Sequence, residues 1–211
     1  KPLIEESISR IASLGGLTEE IYENEVLSKL IEIIFMYNDP LNQEYIMECI
    51  IKVFPETYNI KCMEYILLTI SKLVEGVNVK RLFTIMLEKL SVFNDNILKS
   101  NNENEKNHLL SNIINVYPVL FRNLDIILNN ILKNEIREIT DILELNISFL
   151  KYSNKYAPEN EKLNSINHIL NLTVKIMIHF GKQTLLKTEI NKICELLSIP
   201  LESVYSLFDK S

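Results

Sequence analysis

The chain has 211 residues, 47% of them hydrophobic and 24% charged, with a formal net charge of −6. That apolar content excludes disorder, and the length allows a substantial core, as one domain or as an extended array. Four glycines and six prolines are too few for the turns of a sandwich or barrel. With only Arg10, Arg81, Arg122 and Arg137 as arginines and no lysine-dense stretch, no basic face exists to neutralise phosphates, so nucleic-acid binding is not expected.

Turn signals cut the chain into helices of similar length. A first helix begins near Pro2 and ends at Gly15-Gly16; Thr18 then caps a second, with Glu19 and Glu20 in its first turn. Asp39-Pro40 opens a third, with proline where its missing N–H costs nothing, and Pro55 stops it. On this helix Leu41, Tyr45, Cys49 and Val53 recur every four residues, flanked by Ile46, Ile50 and Phe54, a stripe broad enough to need neighbours on two sides. Glu44 and Glu48 fall one turn apart on what reads as the solvated face, so Glu48→Lys is expected to leave folding intact and Ile50→Asp to destabilise severely.

A fourth helix is expected from about Ile60 to Glu75, with Ile60, Met63, Leu67, Ile70 and Val74 inward, Gly76 as its break and Asn78 capping the next. Leu82, Ile85, Met86, Lys89 and Phe93 continue the pattern, Lys89 laying its stem over the stripe and keeping its charge in water. Residues 94–107 are polar and read as a flexible exposed connection. Helices are then expected from about His108 to Lys133 with a kink at Tyr117-Pro118, from Glu135 to Tyr156, and from Pro158 to Gly181. A last pair covers Thr184 to Leu197 and Pro200 to Phe208. The spacings from Pro2 to Asp39 and from Pro40 to Val77 give one helix pair per roughly forty residues, the period of HEAT-type arrays. The expected fold class is all-α, an α-solenoid of about five stacked antiparallel helix pairs, with 1–211 as a single segment.

No catalytic, cofactor-binding or metal-binding residues are assigned. His108, His168 and His179 lack a Glu or Cys at the spacing metal sites favour. Gly181-Lys182-Gln183-Thr184 is similar to the end of a phosphate loop, but Ile176 holds the place of the earlier glycine and a helix precedes it. No Gly-x-Ser-x-Gly occurs. Cys49, Cys62 and Cys194 are an odd set without close spacing, read as reduced thiols of a cytosolic protein. The glycosylation-type triplets at Asn146 and Asn171 sit in expected helices and are read as silent. Tyr45, Tyr58, Tyr65, Tyr117, Tyr152, Tyr156 and Tyr205 occupy stripe positions or helix ends, where packing with the hydroxyl toward water accounts for them. No apolar run approaches the ~20 residues of a membrane span, so membrane contact is expected to be indirect. A start at Lys1 without a signal core suits a piece of a longer protein.

The block Gln43-Glu44-Tyr45-Ile46-Met47-Glu48-Cys49-Ile50-Ile51-Lys52-Val53-Phe54-Pro55 resembles the middle of the vacuolar protein sorting-associated protein 35 family, the large helical subunit of the retromer complex. The resemblance continues at Gly76-Val77-Asn78-Val79-Lys80 and returns at Glu189-Ile190 and Leu196-Leu197-Ser198-Ile199-Pro200-Leu201, with a weaker echo at Ile11-Ala12-Ser13-Leu14. The chain departs from that family at 94–107, where the family tends to carry glycine and proline. The resemblance implies a non-enzymatic scaffold without cofactors, acting with an arrestin-like subunit, a phosphoesterase-fold subunit and sorting nexins at the cytosolic face of endosomes. The family's Pro-Arg-Leu-Tyr-Leu signature is absent here, so both principal subunit contacts are expected to lie elsewhere. The same fold would also serve a helical adaptor of another trafficking, coat or nuclear-transport system.

Overall fold

The computed structural model describes residues 2–99, 111, 116–128, 139–180 and 187–208, with only the backbone described at 159, 160, 179, 180, 187 and 201–208. Every regular element among them is helical, the fold class of an α-solenoid built from helix pairs. The chain divides into two compact units, 1–127 and 128–211.

In the first unit α1 is Pro2–Ala12. Helix α2 joins Glu19–Ile21, a π-helical turn Tyr22–Leu27 and Ser28–Met36 into one run. Helix α3 is Pro40–Val53, α4 Glu56–Lys61, α5 Met63–Ile70, α6 Val79–Lys99 and α7 residues 116–128. The caps fall where the side chains dictate. Thr18 Oγ1 accepts from Ile21 N–H at 3.3 Å, Asp39 Oδ2 from Asn42 N–H at 2.8 Å and Asn78 Oδ1 from Arg81 N–H at 3.0 Å. Gly76 turns the chain between α5 and α6 at φ +95°, where a Cβ would also meet Pro40 Cγ at 3.2 Å. Helices α1, α3 and α6 form a row, each packed on the next, while α2 packs on α3 and α4, and α4 on α6. Arg122 of α7 pairs with Glu64 of α5.

In the second unit α8 (Ile139–Tyr156) lies between α9 (Glu159–Phe180) and α10 (Lys187–Phe208). Ile142, Leu143, Leu145, Phe149 and Leu150 of α8 are buried, as are Ile169 and Ile176 of α9 and Leu196 and Ile199 of α10. Glu144 pairs with Lys192 and Lys151 with Glu195 at 2.7 Å, so sequence number rises together along both helices and α8 and α10 run parallel.

Several expectations change. Leu41 is 64% exposed, and the buried face of α3 is Gln43, Ile46, Met47, Ile50 and Ile51, with Glu48 and Cys49 beside it. One helix over 60–75 becomes α4 and α5, broken at Cys62 (φ −97°, ψ 13°). The break lets α4 turn Tyr58 and Asn59 toward α2 while Met63, Ile66, Leu67 and Ile70 bury a separate face. Helix α6 runs through 94–99, burying Asn94 and Ile97, while 100–107 lies outside the described residues. Tyr117 is buried and Pro118 lies inside α7, where the kink was expected; residues 112–115, on the N-terminal side of that position, are outside the described residues. The last pair is one helix, α10, with Pro200 inside it. Burial of Leu196 and Ile199 outweighs the single backbone bond that proline removes.

Candidate functional site

A polar seam runs along α3. Gln43 stands in an apolar face and satisfies all its needs across three segments. Its amide donates to Tyr37 O at 2.7 Å and Ile34 O at 3.2 Å, carbonyls at the end of α2, and its oxygen accepts from Val74 N–H at 2.9 Å. One residue on, Glu44 Oε2 accepts from Asn78 N–H at 2.9 Å. One turn further, Glu48 binds Lys52 and the Arg81 guanidinium, the latter at 2.9 Å, and Arg81 also lies 3.6 Å from Glu44.

The two carboxylates are therefore not a solvated face. Their side chains are 15% and 11% exposed, covered by α6 and its leading loop. Burial pushes the Glu48 carboxyl up, but Lys52 and Arg81 outweigh it and hold it below the usual range. An isolated carboxylate at this depth would cost several kcal/mol, so two cations on one anion are the condition for placing it there.

At its other end α3 is closed by α6. Pro55 has no N–H to give Ile51 O, which instead accepts from Lys89 Nζ at 2.8 Å and from Asn59 Nδ2 at 3.0 Å. The same ammonium donates to Lys52 O at 2.9 Å and Phe54 O at 2.6 Å. Lys89 thus does not keep its charge in water. Its side chain is 19% exposed, because the negative end of α3 offers three carbonyls to one donor group. Burial lowers its pKa, and Glu56 at 3.8 Å acts in the opposite direction. Asn59 passes the connection on, accepting from the buried Tyr22 hydroxyl at 2.9 Å. The order of these contacts, 44 with 78, 48 with 81 and 51 with 89, makes α3 and α6 parallel neighbours.

Sequence reasoning missed Gln43, Asn59, Arg81 and Tyr22 as members of this network. A lone glutamine within an apolar stripe was the available signal. The remaining candidates do not converge. His168 sits half-buried on α9, His179 lies on α9 with its side chain outside the description, and His108 and Gly181-Lys182-Gln183-Thr184 lie outside it entirely. Cys49 and Cys62 are buried and Cys194 exposed, all unpaired as thiols, and burial pushes Cys62 up to about 11. The side chain of Asn146 is enclosed between α8 and α9, donating to Thr173 Oγ1 at 3.0 Å, while Asn171 is exposed on α9. Tyr45 donates to Glu5 of α1 at 3.0 Å and Tyr58 to Leu17 O at 2.7 Å. Tyr65 is exposed, Tyr152 and Tyr156 pack with ring centroids 5.0 Å apart, and the side chain of Tyr205 lies outside the description. Among the described residues no group of three His, Cys, Asp or Glu side chains could hold a metal, and no helix is long and apolar enough to cross a membrane. A pocket beside Lys89, lined by Ile51, Asn59, Met63 and Met86, has room for about one water.

The family model described as vacuolar protein sorting-associated protein 35 matches residues 1–210. The chain belongs to that family. Relatives of that name include the Dictyostelium discoideum protein, 29% identical over 201 residues, which is 95% of this chain and 24% of that protein. Arabidopsis thaliana protein 35B is 31% identical over 91 residues, 43% of the chain and 12% of the relative. The Schizosaccharomyces pombe protein is 30% identical over 105 residues, 50% and 12%. The chain thus spans about a quarter of the Dictyostelium relative's length. The two stretches that carry the vacuolar protein sorting-associated protein 35 resemblance, 43–55 and 76–80, are the two sides of the seam, joined through Glu44 and Asn78.

Proposed function

We propose that this chain is a non-enzymatic scaffold segment of the retromer cargo-sorting complex, supporting retrograde and recycling transport of membrane proteins from endosomes. The observation that carries this reading is the tying of α3 to α6 at both ends, by Glu44 and Glu48 at one and Lys89 at the other. Such ties keep neighbouring helices in one register, so that each helix transmits position to the next. Membership of the vacuolar protein sorting-associated protein 35 family supplies the complex. The segment contributes length and stiffness, and the arrestin-like and phosphoesterase-fold subunits bind mainly outside it. It works at the cytosolic face of endosomes and meets the membrane only through its partners.

Co-purification tests this. A full-length protein containing this segment is expected to bring down both subunits, and a Glu48→Lys version to keep each contact while cargo recovery falls. Failure to recover either subunit with the unaltered protein would assign the segment to another helical adaptor system.

A further inference from the structure

The π-turn Tyr22–Leu27 interrupts α2 and buries only its first and last residues. Tyr22 packs its ring on Phe54 at 4.6 Å and Tyr58 at 5.3 Å and donates to Asn59 Oδ1, which fixes it at the junction of α3 and α4. Leu27 begins a different stripe, continued by Leu30, Ile31 and Ile34, on the part of α2 that packs on α3.

Those two anchors do not share a face of an α-helix. Five residues at 100° each turn through 500°, leaving Tyr22 about 140° from Leu27. The residue that would follow Tyr22 after one α-helical turn, Val26, is only half-buried. A π-turn closes its bonds over five residues in place of four, which brings positions five apart onto one side. Ser28 Oγ donates to Glu23 O across the same five-residue span at 3.5 Å. The surplus residue is accommodated outward, where Glu23, Asn24 and Glu25 are exposed and Glu23 pairs with Lys61 at 3.1 Å.

We propose that this turn is a register shift built into α2, one residue beyond the α-helical count, which seats Tyr22 at the α3–α4 junction and the Leu27–Ile34 stripe on α3 at once. Without it, one anchor or the other must leave the core.

Deleting Asn24 removes the surplus residue and leaves Tyr22 and Leu27 four apart, about 40° from each other on one side of a regular α-helix. The deletion is expected to shift Tm by less than about 3 °C and to keep Tyr22 protected from nitration by tetranitromethane, read at that residue by mass spectrometry. Deleting Glu32, likewise exposed but beyond the turn, turns Ile34 about 100° away from Leu30 and Ile31 and is expected to lower Tm by more than about 5 °C or to prevent folding. Asn24→Ala, which keeps the count, is expected to leave Tm in place. An Asn24 deletion that costs as much as the Glu32 deletion, that fails to fold, or that opens Tyr22 to nitration would overturn the proposal.

Discussion

Helices α3 and α8 hold the same rank in their units, each enclosed by neighbours, yet the ties described around them differ. Around α3 the neighbours reach in with polar groups, from Gln43, Glu44 and Glu48 at one end to Lys89 at the other. Around α8 much of the buried contact is aliphatic and aromatic. The ion pairs Glu144–Lys192 and Lys151–Glu195 lie nearer solvent than Glu48, and an interior polar tie among the described residues is the neutral bond from Asn146 to Thr173. Apolar burial supplies energy but tolerates sliding, because one leucine substitutes for another one turn away. A seam of matched charges does not, since a slip of one turn would separate Glu48 from Arg81 and leave the part-buried anion with Lys52 alone. The first unit is therefore specified in register as well as stabilised.

Substitutions can test that contrast. The largest effect is expected from Ile50→Asp, which places an unpaired charge at a fully enclosed position and costs about 4 kcal/mol or more, enough for thermal melting to show loss of the first unit. Glu48→Lys comes next. It sets a third cation against Lys52 and Arg81 and is expected to cost about 3 kcal/mol in urea denaturation, contrary to the expectation of harmlessness from sequence. Its counterpart Glu144→Lys, at a rim that is 38% exposed, should cost less than about 1 kcal/mol, and equal costs for the two would erase the distinction drawn between the units. Lys89→Met keeps the stem and removes three carbonyl bonds. About 2 kcal/mol is expected, with faster amide exchange confined to the last turn of α3.

The smallest expected effect is a pH dependence. The buried Cys62 thiol titrates near 11 against an ordinary value of 9.0, so the unfolded chain loses that proton first. Stability should be intact below about pH 9 and fall as pH rises from there to 11, and Cys62→Ala should flatten that limb. Burial raises Tyr22 and Cys49 in the same sense, and burial with the Glu5 bond raises Tyr45. Glu48 acts at the acid end: its contribution is present above the usual carboxylate range and is lost as pH falls through its lowered value.

Much of the helical layout was legible because its signals are local. Thr18, Asp39 and Asn78 each act within a few residues of themselves and cap where the sequence placed them, whereas Gly76 takes its positive φ in the turn before α6, past the end of α5 at Ile70. The faces were less legible. Counting apolar residues every four positions gave Leu41 and Tyr45 to the core of α3 and Glu44 and Glu48 to water, whereas the covering loop and α6 made the carboxylate side an interface. Periodicity records which residues can be buried, not which neighbour arrives. The π-turn left no mark of this kind, since the groups that hold Tyr22 (Phe54, Tyr58 and Asn59) lie far along the chain, Asn59 at a separation of 37 residues.

The amino-acid order by itself determined an all-helical chain, most of its breaks, and the two stretches that tie it to its family, because caps, prolines and apolar repeats act through adjacent residues. Only the tertiary structure decided which polar groups became ties. A buried charge or an orphaned carbonyl is tolerable only when a partner distant in sequence arrives to satisfy it, as Arg81 does for Glu48 and Lys89 for the end of α3.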